Sequence, residues 1–130
     1  MLFEEKARNI IDTKTLSLEL IEKVIPWNCV FNYKCQMNAV DFAIKNWHKK
    51  LAMVMYKMKQ SNHWSIHFIN IDEKWEYIDN TIWVWANKTK YRLIKIIYED
   101  EFYDIDDIFE NYRLKINLEL PFYIWNRIDF

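Results

Sequence analysis

Glycine is missing from this sequence altogether, and proline and cysteine occur only twice each in 130 residues. Without glycine, tight turns and left-handed helix caps have to be built from residues that carry a Cβ. The short polar clusters Ser61-Asn62, Asp72-Glu73 and Asp79-Asn80 are the expected places for them. Two cysteines six positions apart, Cys29 and Cys35, do not amount to a disulfide framework. The opening residues Met1 to Asn9 also lack the positive, then apolar, then small-residue order of a secretion signal. Free thiols in a reducing cytoplasm are therefore expected. Long apolar runs are absent too: Ile82 to Ala86 is short and bounded by polar residues, against the stretch of about 20 that a spanning helix requires. Eighteen basic and nineteen acidic residues leave a formal charge of -1, so the phosphate-driven term behind nucleic-acid binding is missing. Neither a membrane nor nucleic acid is expected as a partner, and no pattern calls for a cofactor.

What the chain does have is apolar mass. It is 52% hydrophobic and 18% aromatic, well away from the composition of disordered chains and enough to fill the core of one domain over residues 1–130. Apolar residues recur at threes and fours over Glu4 to Ile11 and again over Leu16 to Val24, which reads as helical entry ending before Pro26. A second helix is expected from Cys35 to Trp47, with Met37, Val40, Phe42, Ala43, Ile44 and Trp47 forming a wide apolar face. Leu51 to Met58 reads as a strand, and Trp64 to Ile71 with Trp75 to Ile78 as a hairpin turning at Asp72-Glu73-Lys74. Thr81 to Ala86 and Tyr91 to Tyr98 read as further strands. Ile105 to Asn111 reads as a short helix behind Asp104, and Leu114 to Ile128 as late strands around Pro121. Helices first and an antiparallel sheet afterwards argue for an α+β domain with the second helix packed on the sheet.

Thiol catalysis needs a thiolate, favoured at a helix N-terminus, an imidazole to move the proton, and a carboxylate or amide to hold that imidazole. Cys35 stands where the second helix should begin, His63 and His67 belong to the first hairpin strand, and Asp79 ends the second. The order Cys35-Gln36-Met37-Asn38-Ala39, then His63-Trp64, then Trp75-Glu76-Tyr77-Ile78-Asp79-Asn80-Thr81 resembles the papain-like superfamily. Its transglutaminase-like branch and the leader-processing cysteine peptidases of bacteriocin systems come nearest. The resemblance runs from about Pro26 to Thr81, with Lys34 where a glycine usually precedes the nucleophile and Asn80 where proline is common. It implies a papain-like α+β fold and a Cys35, His63, Asp79 triad acting as peptidase, transglutaminase or acyltransferase on a peptide or protein substrate. His63 lies sixteen residues before Asp79, a separation like that of the resembled families, and His67 only twelve; a three-residue hairpin turn would instead put His67 opposite Asp79. Asn28 and Asn32 are the side-chain amides available to an oxyanion.

Plainer readings stand beside these. Cys35 also suits a small core residue between helix and sheet, the histidines suit the solvent face of a strand, and Asp79 suits a turn. Asn28 as a helix cap would make Cys29 the thiol in question. Cys29, Cys35, His63 and His67 are the right types for zinc, yet the cysteines are spaced wider than in the common knuckle. A non-catalytic protein-interaction module on the same fold is the alternative function.

Overall fold

A computed structural model describes residues 2–26, 35–57, 63–81 and 90–126. Among the described residues three α-helices, α1 (Phe3–Thr15), α2 (Cys35–Lys45) and α3 (Ile105–Glu119), accompany six strands: β1 (Glu19–Ile21), β2 (Val24–Pro26), β3 (Lys50–Lys57), β4 (Ser65–Ile71), β5 (Tyr77–Asp79) and β6 (Lys90–Tyr98). The strands form one sheet in the order β1-β6-β3-β4-β5-β2. Every pairing in it is antiparallel except that of β2 with β5.

The sheet has to curl. β1 and β2 lie at its two outer edges, yet only Glu22 and Lys23 separate them in the chain. In a flat six-stranded sheet the outer strands would be about 24 Å apart. The three Cα steps from Ile21 to Val24 reach at most about 11 Å. Bringing the edges together makes a barrel-like layer with an inside and an outside. Both are apolar: Ile21, Ala52, Val54, Ile69, Ile71 and Tyr91 form the inner cluster. On the outside, Leu51, Met53, Met55, Ile66 and Phe68 pack with Ala39, Val40 and Ala43 of α2 and with residues of α1 and α3. Burial on both faces explains why Leu51 to Met55 is an unbroken apolar run and not an alternating one. At Ile94 a bulge shifts the register of β6 against β3. It flips the side-chain parity, so Tyr91 and Leu93 face inward before the bulge and Ile96 faces inward after it.

Several expectations are corrected. Leu16 to Val24 is not helical: α1 stops at Thr15, and the segment supplies the two edge strands, with Arg92 donating from Nη1 to the carbonyls of Leu16 and Leu18. The late strands expected over Leu114 to Ile128 do not form as far as Asn126, because α3 runs to Glu119 and a 3-10 turn, Phe122–Ile124, follows it; Arg127 and Ile128 lie outside the described residues. The alternation of Leu114, Ile116, Leu118 and Leu120 imitates a strand. Only Ile116 and Leu120 are buried there, and they continue a stripe with Ile105, Ile108, Phe109 and Tyr112 at helical spacing. The hairpin loop spans Asp72 to Glu76, longer than expected. Its Asp72 side chain accepts the backbone N–H groups of Lys74 and Glu76. The expected strand from Thr81 to Ala86 lies, after Thr81, outside the described residues.

Candidate active site

The first residue of α2 is Cys35, half-buried against the outer cluster, with its thiol donating to Oε1 of Gln36 at 3.2 Å. Register places the other partners. β4 and β5 pair Asn70 with Ile78 and Ile71 with Tyr77, so Asp79 is level with Ile69, and His67 is diagonal to it on the same inward face. A diagonal neighbour is within reach of a long side chain, and His67 Nε2 meets Asp79 Oδ2 at 2.9 Å. The five-residue loop therefore puts Ile69 opposite Asp79, where a three-residue turn would have put His67, and the two side chains still meet. β5 ends at Asp79, and the Cys35 thiol is a neighbour of the His67 imidazole, close enough to raise its proton affinity.

The carboxylate is held on every side. Its Oδ2 also accepts the Tyr91 hydroxyl at 2.7 Å, and Oδ1 accepts the Thr81 backbone N–H at 2.9 Å. The turn after β5 is pinned in its turn to α2: Asn38 Nδ2 donates to Thr81 Oγ1 and Asn80 Nδ2 donates to the Asn38 carbonyl. Asn70, on the outer face of β4, donates to the carbonyl of Ala39. The helix that carries the thiol is thereby fixed against the strands that carry its partners. His67 is 2% and Asp79 0% exposed. Burial by itself disfavours an imidazolium, but the adjacent Asp79 charge, its hydrogen bond and the neighbouring thiol outweigh that and push the His67 pKa up to about 10. Burial likewise opposes ionisation of Asp79, and the His67 charge with the Tyr91 and Thr81 hydrogen bonds holds its carboxyl below the usual range. The ring of Tyr56, 4.7 Å from that of His67, closes the other side.

The structure thus gathers Cys35, His67 and Asp79, with His67 bonded to Asp79 and next to Cys35. It does not bring His63 there. His63 precedes β4, and its Nδ1 meets Asp12 Oδ2 of α1 at 2.9 Å, while the following Trp64 N–H donates to Asp12 Oδ1 at 3.1 Å. His63, expected on the first hairpin strand, falls before it, since β4 begins at Ser65. Cys29, Asn28 and Asn32 lie outside the described residues, so of the four residues considered for zinc only Cys35 and His67 are seen to be neighbours. Tyr91, Thr81, Asn38 and Gln36 had no assigned part in the sequence. Tyr91 in particular reads there only as a strand aromatic, since nothing local announces that a curl will carry it across to Asp79. A cavity of about 500 Å³ lies elsewhere, lined by Glu19, Glu22, Trp75, Glu76 and Tyr77 among others. No residue of the Cys35 cluster borders it. Comparison with known proteins finds no matching family model, no matching curated protein and no matching solved structure.

Proposed function

We propose that this chain catalyses thiol-dependent acyl transfer or hydrolysis at an amide or ester of a peptide or protein substrate, with Cys35 as nucleophile, His67 as proton carrier and Asp79 as its anchor. The observation that carries the reading is the buried His67 ring, bonded to the Asp79 carboxylate and neighbouring the Cys35 thiol at the start of α2. Such a constellation is recognised by geometry and roles. The Cys35 sulfur would attack the substrate carbonyl while the His67 imidazolium passes its proton to the departing amine or alkoxide, leaving a thioester. Water or an amine would then attack that thioester, giving its proton back to His67 as the sulfur leaves. Gln36, whose side chain touches the thiol, and the Cys35 backbone amide are the described groups best placed to receive the developing oxyanion. A nucleophile opening a helix, with histidine and aspartate on adjoining antiparallel strands, supports the papain-like, transglutaminase-like reading.

Iodoacetamide labelling, with the label located by mass spectrometry, tests it. Native chain is expected to label at Cys35 at pH 6, His67→Ala to slow that labelling about tenfold or more, and His63→Ala to leave it within about twofold. Labelling that is unaffected by His67→Ala, or absent until the chain unfolds, would remove the enzyme reading. The near-complete burial of His67 and Asp79 favours, as the second reading, a structural ion pair inside a protein-interaction module. Inert thiols in the native state would support that one.

A further inference from the structure

Asp79 belongs to β5 and Tyr91 to β6, strands that the sheet order separates by β3 and β4. Their contact therefore crosses the interior of the curled sheet and is not a neighbouring-strand pair. Three features make it specific. Tyr91 is 1% exposed, its hydroxyl donates at 2.7 Å, and it does so to Oδ2, the same oxygen that faces His67 Nε2. Two donors thus share one carboxylate oxygen, while the Thr81 N–H occupies the other.

We propose that Tyr91 is a positioning residue of the Cys35 site: through Asp79, its hydroxyl fixes the plane of the carboxylate and moderates how tightly that carboxylate holds the proton of His67. The inference rests on the Cys35 reading for its purpose, and on the Tyr91, Asp79 and His67 geometry alone for its content. A donor on a carboxylate spreads and stabilises the negative charge. Removing it makes the oxygen more basic and leaves His67 as the sole side-chain donor to Oδ2 among the described residues. The imidazolium is then held harder and gives up its proton less readily. Moderation matters for a proton carrier, because an imidazolium locked to its anchor is a poor acid toward a leaving group. Among the described residues the groups that face His67 are Asp79, Cys35, Tyr56 and Tyr91, from β5, α2, β3 and β6, and only the first is a carboxylate.

The experiment is a titration of the His67 imidazole by long-range proton–nitrogen NMR in the intact chain, comparing wild type with Tyr91→Phe, with Asp79→Asn and with both together. Tyr91→Phe is expected to raise the His67 midpoint by about half a pH unit or more and to leave those of His48 and His63 in place. In the Asp79→Asn background the same substitution should do nothing, since the hydroxyl acts through the carboxylate. A folded Tyr91→Phe chain with an unmoved His67, or a shift that survives Asp79→Asn, would overturn the proposal. Should Tyr91→Phe fail to fold, the wild type still decides: a slowly exchanging Tyr91 hydroxyl proton with cross-relaxation to the His67 ring is expected, and its absence would overturn the contact. Iodoacetamide labelling read on the same samples keeps the two ideas apart. An inert Cys35 with a Tyr91-dependent His67 would end the enzyme reading and leave this inference standing.

Discussion

A buried histidine that keeps its proton is a statement about stability as well as chemistry. His67 holds a proton more tightly in the folded chain, at about 10 against an ordinary 6.5. The stability it supplies is therefore whole below about pH 6.5 and drains away as the pH climbs toward 10. Asp79 works in the opposite sense: its contribution is whole above the usual carboxylate range near 4 and falls as the pH drops through its lowered value. Urea unfolding should accordingly give a plateau of stability between about pH 4.5 and 6.5, with an alkaline limb no steeper than about 1.4 kcal/mol per pH unit for one proton. His67→Ala should flatten that limb. It should also lower stability at pH 6 by about 3–5 kcal/mol, because Asp79 is left charged and buried. At this scale the sequence was a partial guide. Cys35 and Asp79 stand out by type and order, and they do come together; the choice between His63 and His67 turned on register and on where β4 begins. Neither is written in the residues themselves, and a carboxylate on α1, Asp12, takes His63 instead.

Among the elements, the absence of glycine is met in an unexpected way. Left-handed backbone occurs at Trp47 (φ 59°), Trp75 (φ 62°) and Asn126 (φ 61°), and only the last is a residue type suited to it. None of the three falls in Asp72-Glu73 or Asp79-Asn80, although Asp72 does open a turn that Trp75 closes, and Ser61-Asn62 lies outside the described residues. Trp47 is the C-terminal stop of α2: its N–H donates to the Ile44 carbonyl and the next N–H, of His48, donates to that of Ala43, the paired bonds of a Schellman motif. Because the Trp47 side chain is 90% exposed, little burial is at stake there. Trp47→Gly should raise stability by about 1 kcal/mol in urea unfolding. Trp75 differs, since Lys50 Nζ sits 3.1 Å from the centre of its ring, a contact that the same substitution would remove. Elements whose period matched their burial were legible: α2, β3, β4 and β6 all fall within a residue or two of their expected bounds. The failures share one cause. Over Leu114 to Leu120 an every-second-residue pattern arises although only every fourth residue is buried, and over Leu16 to Val24 a helix-like spacing is overridden by pairing to β6 and β5, partners remote in sequence.

For the molecule as a whole, the link of Glu22 and Lys23 between opposite sheet edges governs more than shape. β1 pairs around Tyr91 to Leu93 and β2 around Tyr77 to Asp79, so each lies more than fifty positions from its partner. The α+β class could be anticipated from element order; a curled sheet could not, because it is defined by these remote pairings and by no local pattern. Long-range pairings of this kind slow folding, since the chain must be ordered over a long loop before any contact rewards it. The order of synthesis sharpens the point. Residues 19–26 leave the ribosome well before the strands they must join: β2 has no place to settle until β5 has been made, and β1 none until β6 has. The two edges of the sheet are thus translated before every strand they pair with and are seated only after them. Until then β5 and β6 present open backbone edges, ready to pair with another copy. A folding chain held at high concentration should therefore exchange its residues 19–26 with a neighbour more readily than any other part of its sheet.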